Sequence, residues 1–396
     1  MKSRIPLIFT ALGLLIISSC SNKTSTDYTT LVDPFIGTGG HGHTFPGATY
    51  PHGMVQLSPD TRIYDWDACS GYHYSDSLVN GFSHTHLSGT GCADYGDVLV
   101  MPVVGEADIR KMPLGSQNTS YASAFSHKKE EAIPGYYSVM LDRYNVKAEL
   151  TASQRAGFHK YTFPVSDKAG MLIDLDYAIQ GQVTKELTLE VISDTEIVGY
   201  KKSAYWAPEQ YIYFYAKTSK PFTSATFYRN DSIIAGVKNV SGSGKVLLSF
   251  AAKADEVVML KVGISAVDID GARKNLEAEI PEWDFDKIKF ATRKAWNDYL
   301  AKVDVKTKNS KYKRIFYTAL YHTAIAPNLF SDVDGRYRGM DKKIYTSNEN
   351  MYTVFSTWDT MRALHPLFTI IDPALNQNFI RSLIQKSKEG GILPMW

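Results

Sequence analysis

Tyr211-Ile212-Tyr213-Phe214-Tyr215 puts five aromatic or β-branched residues in a row. Side chains of this kind fit a pleated surface and crowd the preceding turn of a helix, so the run predicts a strand. Its neighbours read the same way. Upstream are Tyr136–Leu141, Lys147–Ala152, Met171–Asp176, Leu187–Ile192 and Glu196–Tyr200, and downstream are Ala225–Tyr228, Lys245–Phe250 and Val257–Ile264. Many short strands punctuated by turn residues predict a β-sandwich. Residues 28–130 are rich in Gly, His, Pro, Asp and Ser and read as loops and short strands, with Val98-Leu99-Val100-Met101 a buried strand among them.

The hydrophobic period changes near residue 270. Ile288, Ala291, Ala295 and Tyr299 fall at helical spacing within Phe285–Leu300, as do Ile315, Ala319, Leu320 and His322 within Lys311–Ala326, which Pro327 closes. Thr357–Phe368 reads as a helix broken near Pro366. Asp372-Pro373 opens another, with Asp at the N-cap and Pro at N1. Leu375, Phe379, Ile380, Leu383 and Ile384 form its apolar stripe, and Gly390-Gly391 ends it. The fold class is therefore multidomain β + α. A sandwich domain over 21–270 precedes a helical linker over 271–305 and the first helices of an α domain over 306–396. A length of 396 residues has room for two or three such units. The apolar run Ile392-Leu393-Pro394-Met395-Trp396 reads as an internal stretch rather than a polar terminus, so the α domain is expected to be incomplete.

Lys2 and Arg4, the apolar run Ile5 to Ile17, and Ser18-Ser19-Cys20 make up an export address. Residues 1–20 resemble a bacterial lipoprotein signal in which Cys20 is lipidated. The expected location is the outer membrane or cell surface, or the periplasm, with membrane contact only through that lipid. Ser21 to Asp27 would be a tether. Lys+Arg is 43 and Asp+Glu 41, so without Lys2 and Arg4 the charges balance. No basic field exists to attract nucleic acid. A neutral chain with 12% aromatic residues and 25 Tyr suits an uncharged ligand such as a sugar.

Gly37-Thr38-Gly39-Gly40-His41-Gly42 matches G-x-G-x-x-G, but Pro46 and Pro51 come next, where a helix would have to open, so a dinucleotide site is rejected. Six of the ten histidines, His41, His43, His52, His73, His84 and His86, lie between residues 41 and 86. With Cys69, Cys92, Asp94 and Asp97 nearby, zinc is conceivable. The tight pairs typical of zinc motifs are absent, and histidines that organise a loop-rich, sugar-binding surface are the favoured reading. Cys69 and Cys92 could pair as a disulfide or stand as separate buried thiols. Trp-Asp occurs at Trp66-Asp67, Trp283-Asp284 and Trp358-Asp359. A Trp face stacks on the C–H face of a sugar while the adjacent carboxylate accepts from hydroxyls. Trp283-Asp284 reads as a helix start instead.

Taken together, Val32-Asp33-Pro34-Phe35-Ile36-Gly37-Thr38-Gly39-Gly40-His41-Gly42-His43-Thr44-Phe45-Pro46-Gly47-Ala48, Gly81-Phe82-Ser83-His84-Thr85-His86-Leu87-Ser88-Gly89-Thr90-Gly91, Tyr317-Thr318-Ala319-Leu320-Tyr321-His322, Ser356-Thr357-Trp358-Asp359-Thr360 and Gly390-Gly391-Ile392-Leu393-Pro394-Met395-Trp396 resemble glycoside hydrolase family 92, the calcium-dependent exo-α-mannosidases. The resemblance implies an N-terminal β-sandwich, a helical linker and an (α/α)6 barrel. It also implies inverting hydrolysis of terminal α-linked mannose, of the α-1,2 type, with Ca2+ engaging the sugar. An inverting acid and base stand about 6.5–9.5 Å apart. No residue of 1–396 matches the family's general acid or base. Twelve barrel helices with loops need on the order of 200 residues, about twice the length left after the linker. The chain as given is thus expected to be inactive or a fragment. By resemblance, Trp358 and Asp359 contact the terminal mannose, Trp66 and Asp67 lie near the scissile bond, and His84 and His86 are weaker substrate contacts. The competing reading is a non-catalytic carbohydrate-binding or structural module, and a third is a zinc hydrolase built on the histidines.

Overall fold

The computed structural model describes residues 26–110, 112–113 and 115–395. The export signal over 1–20, with Cys20, lies outside the described residues.

Two antiparallel sheets form the sandwich. The first runs in the order Ala48–Thr49, Gln56–Asp60, Gly81–Ser83, Leu99–Val104, Ser166–Asp174, Lys245–Ala252, Ser224–Arg229, Ser232–Ile234. The second runs Asn239–Ser241, Val183–Val191, Glu196–Ala204, Gln210–Thr218, Glu256–Ser265, Ala156–Phe163, Val146–Ala152, Tyr136–Leu141, Glu130–Ile133. Between them lies a core that includes Leu57, Phe82, Val100, Leu150, Tyr161, Leu172, Phe214 and Leu248.

The strand Ala156–Phe163 escapes sequence reading because both of its faces are covered. Tyr161 and Phe163 point into the sandwich, whereas Ala156 and Phe158 pack with Ala272, Leu276, Ile280 and Phe285 of the helices outside the sheet. Over Ala156–His159 neither face is left to water, so the polar-apolar alternation that marks a half-buried strand is confined to Lys160–Phe163.

Among the described residues, six helices come after the sandwich: α1 (Ile269–Glu279), α2 (Phe285–Leu300), α3 (Ser310–Thr323), α4 (Thr357–Thr360), α5 (Leu364–Ile371) and α6 (Pro373–Gly390). Asp268, Asp284, Asn309 and Asp372 each cap a helix with the side chain, accepting from the backbone N–H three residues on. The bounds of α2 match the expected ones, but the buried face does not. Phe285, Thr292, Trp296, Tyr299 and Leu300 are buried, while Ala291 is exposed. Trp296 explains the rotation, since its indole N–H donates to the Thr49 carbonyl at 2.6 Å from the fully buried interior. In α3 the inward residues are Tyr317, Leu320 and Tyr321, and Ile315 is exposed. The expected break near Pro366 falls earlier, between α4 and α5, so that Pro366 sits in the first turn of α5, where a missing N–H costs nothing.

The two parts are locked together. The Arg155 guanidinium pairs with Glu279 at 2.7 Å and donates to the Ser331 carbonyl at 2.7 Å. His52 inserts from the sandwich among Tyr299, Phe368 and Phe379. Its backbone N–H donates to the Ala324 carbonyl at 2.6 Å, and its ring Nδ1 donates to the Pro327 carbonyl at 2.9 Å. The first described residues clasp the helices from the other side. The Asp27 carboxylate caps a short 3-10 turn and pairs with Arg293 at 2.7 Å, so the expected tether ends before it. The Tyr28 N–H reaches the Asn297 side chain at 2.7 Å, and the Asp33 N–H reaches the Thr318 hydroxyl at 2.9 Å.

Candidate functional site

The candidate residues lie on loops of both parts. The first carries Gly37 to Thr44. Gly42 is obligatory in it, because a Cβ there would stand 2.1 Å from the Gly37 carbonyl oxygen. The tight fold sends two imidazoles toward one carboxylate. His41 Nδ1 lies 2.7 Å and His43 Nε2 3.1 Å from the same Asp67 oxygen. His41 is the first cause that holds the Asp67 carboxyl below the usual range, by its hydrogen bond.

Asp67 and Trp66 ride on a 3-10 turn, Trp66–Ala68, capped by the Asp65 side chain. Trp66 is 53% exposed, with His43 edge-on to its ring at 4.4 Å and His41 tilted at 5.1 Å. The other edge of the indole rests on the Gly89-Thr90-Gly91 loop, so closely that a Cβ on Gly91 would be 2.5 Å from the indole nitrogen.

Cys69 and Cys92 are free thiols, which corrects the disulfide alternative. Cys69 donates to the Trp66 carbonyl at 2.8 Å and so serves the turn as a hydrogen-bond donor. Burial pushes its thiol up to about 12, with the charge of Cys92 second. Burial also raises the Cys92 thiol, which further feels the charges of Asp94 and Asp359. The charge of Asp359 on α4 thus reaches Cys92, next to the Gly91 on which the Trp66 indole rests.

On α4, Trp358 is 61% exposed and Asp359 is exposed beside it, its carboxylate accepting from the Ser356 hydroxyl. Thr357 anchors this turn through two bonds to the Met395 carbonyl, at 2.8 Å from N–H and 2.6 Å from the hydroxyl. Asp94 is the site residue whose environment sequence reasoning missed. It is buried, accepts from the Ala207 N–H at 3.2 Å, and burial pushes its carboxyl up to about 6. The exposed pair Tyr205 and Trp206 sits on that same Ala207 loop.

His84 and His86 do not face this surface. Both are buried, at 0% and 2% exposure, so no hydroxyl of a ligand can reach them without opening the core. Carbonyls only accept, so His84 Nδ1 donates to Val98 at 2.7 Å, which leaves its Nε2 to accept from His159 Nε2 at 2.9 Å. His159 Nδ1 then accepts from the Tyr161 hydroxyl at 2.8 Å. His86 bridges the Gln56 carbonyl at 2.8 Å and Asp60 at 3.0 Å. These rings pin the strands beneath the site. Cavities of about 290 Å3 beside Val103 and Leu247 and about 200 Å3 beside Lys261 and Trp283 share no residue with the loops described; Trp66 and Trp358 are exposed ledges.

Comparison with known proteins agrees with this layout. Residues 31–265 match the Glycosyl hydrolase family 92 N-terminal domain, and residues 271–396 match the Glycosyl hydrolase family 92 catalytic domain. A family GH92 alpha-mannosidase from Bacteroides thetaiotaomicron superposes with a TM-score of 0.90 at 38% identity, covering 94% of this chain and 51% of that one. An inverting mannosidase of family GH92 from the same species gives 0.83 at 26% identity over 94% of this chain and 50% of that one. An uncharacterized secreted glycosidase of Arthroderma benhamiae is 27% identical over 357 residues, 82% of this chain and 44% of the relative. The chain thus spans about half the length of the relatives it matches. It belongs to glycosyl hydrolase family 92.

Proposed function

We propose that the chain supplies the sugar-recognition half of an α-mannoside hydrolase that removes terminal α-linked mannose, of the α-1,2 type, from glycans with inversion. The observation that carries this reading is the pair of exposed Trp-Asp ledges, Trp66-Asp67 from the sandwich, packed on Gly91, and Trp358-Asp359 from α4, whose Asp359 charge is felt at the neighbouring Cys92. Each indole offers an apolar face for a sugar ring, and each neighbouring carboxylate accepts from hydroxyl groups. Asp67 is ready for that role because its two histidines occupy one oxygen and leave the other free for hydroxyls. Trp358 and Asp359 hold the terminal mannose, and Trp66 and Asp67 flank the bond to be cleaved. A GH92 alpha-mannosidase of Bacteroides thetaiotaomicron, 38% identical, binds mannoimidazole, which supports a mannose-shaped ligand here.

No residue of 1–396 is assigned as general acid or base, and the role proposed for this stretch is glycan binding. Calcium dependence is part of the proposal. Among the described residues, however, the grouping able to hold an ion is two imidazoles and one carboxylate, a nitrogen-rich set unlike the six to eight oxygens that calcium takes. The sugar contacts named here do not depend on the ion. Export is also proposed, with Cys20 lipidated. The fungal relative is called secreted, and among the described residues no helix is long and apolar enough to cross a membrane.

The test is calorimetric titration of the 396-residue protein with α-1,2-mannobiose, alongside an aryl α-mannoside assay. Binding that Asp359→Asn and Trp66→Ala each weaken, without turnover, is expected. Absence of mannoside binding, or turnover by this chain, would overturn the reading.

A further inference from the structure

We propose that His41, His43 and Asp67 form a three-ligand site for a borderline transition metal, zinc in the first instance, at the rim of the Trp66 ledge. The donors come from two separate segments, and their ligand atoms all lie within 4.8 Å of one another. Zinc binds imidazole nitrogen and carboxylate oxygen at roughly 2.0–2.2 Å. The measured separations of 2.7 and 3.1 Å between each nitrogen and the shared Asp67 oxygen then subtend about 80° and 100° at the ion. Both fall below the ideal tetrahedral angle, so a modest rotation of the side chains that lengthens these separations seats the ion.

The site is also preorganised. His43 has a left-handed backbone, φ 51°, within the loop that Gly42 tightens, and its side chain is nearly buried at 4% exposure. The His73 ring donates to the Gly40 carbonyl at 3.1 Å and holds the loop from the other side. On the Asp67 side, the Asp65 carboxylate accepts from the Asp67 N–H at 2.9 Å and fixes the turn.

Binding exchanges two N–H···O contacts for two N–metal bonds. Each neutral imidazole presents its lone pair by moving the proton to its far nitrogen, and for His41, whose side chain is 70% exposed, that nitrogen faces water. Three protein ligands leave positions open for water or another exchangeable donor, the pattern of a reactive or regulatory site rather than a closed structural one. Two nitrogens and one carboxylate select zinc, nickel or copper over calcium and magnesium. An ion there engages the carboxylate that the proposed function assigns to sugar hydroxyls, so the metal and the glycan would compete for Asp67.

Titration of tag-free 396-residue protein with ZnCl2 in a non-coordinating buffer tests the site without any sugar, so its outcome is independent of the mannoside reading. The expected result is saturable uptake of one zinc per chain, reversed by a chelator. His43→Ala and Asp67→Ala should each weaken it by about tenfold or more, with circular dichroism unchanged. Copper should quench the Trp66 share of the emission, read as the difference from Trp66→Phe. Lack of saturable uptake, or uptake unaltered in both variants, would refute the proposal.

Discussion

His52→Asn isolates one proton from everything else that titrates. His52 is buried, its Nδ1 is committed to the Pro327 carbonyl, and its Nε2 has no hydrogen-bond partner among the described residues. Burial is the first cause that lowers its pKa from 6.5 to about 4, with Asp372 and Lys302 adding smaller effects of opposite sign. The folded value lies below the unfolded one, so between these two values the unfolded chain binds more protons. The stability held above pH 6.5 is therefore lost as pH falls through that window. From pH 7.5 to 5.0 the loss comes to about 2 kcal/mol for this one ring.

His84, also lowered to about 4, loses a similar amount, and His159 acts in the same direction. Asp94 and Asp332, both pushed up to about 6, oppose it, because their folded forms bind the extra proton, each worth about 1.4 kcal/mol over the same interval. His322, lowered to about 4 by burial, adds to the histidine side, so the wild-type slope sums several groups and does not isolate His52. The difference between proteins says more. Asn tolerates the left-handed backbone at this position, φ 53°, and cannot titrate. Urea unfolding followed by Trp fluorescence at pH 7.5 and 5.0 should show His52→Asn less stable at both, with its pH-dependent loss smaller than wild type by about 2 kcal/mol, near 1 M in midpoint. If both proteins lose the same stability on acidification, within about 0.5 kcal/mol, then His52 titrates normally and the burial argument fails.

Gly91→Ala should displace the Trp66 indole, against which the new methyl would sit at 2.5 Å. Mannoside affinity should fall about fivefold to tenfold while the urea midpoint changes little, as calorimetry and unfolding curves together will show. Trp296→Phe leaves the buried Thr49 carbonyl without its indole donor and should cost about 1–3 kcal/mol in the same unfolding assay. Cys69 and Cys92 should react slowly with a disulfide reagent at pH 8 in native protein, since burial raises both thiols, and denaturation of a Cys20→Ser form should release two equivalents. Fewer would mean that they are bridged.

Local chemistry was legible where one face of an element meets water. The Tyr211-Ile212-Tyr213-Phe214-Tyr215 strand, the Asp372-Pro373 helix start and the Gly391 stop, φ 78°, arise from rules that act within a few residues. Ala156–Phe163 and the inward face of α2 were not legible, because their packing partners come from more than a hundred residues away. In the candidate site, Trp66, Asp67, Trp358 and Asp359 could be picked out by residue type. The dipeptides did not reveal which histidines attend them. His84 and His86 share an extended segment, yet both turn inward, whereas His41 and His43 converge on Asp67 through a glycine turn. Asp94 was picked out beside the histidines, but its burial carried no signal, since that depends on the Ala207 loop of a distant strand pair.

The clasp formed by Tyr28 and Asp33 has a consequence in time. Their partners, Asn297 and Thr318, lie 269 and 285 residues further along the chain. At a synthesis rate of about 5–20 residues per second, the first segment waits roughly 15–55 s before either partner exists. The earliest-made part of the described chain is therefore among the last to settle, and a ribosome stalled within the strands leaves it with nothing to hold.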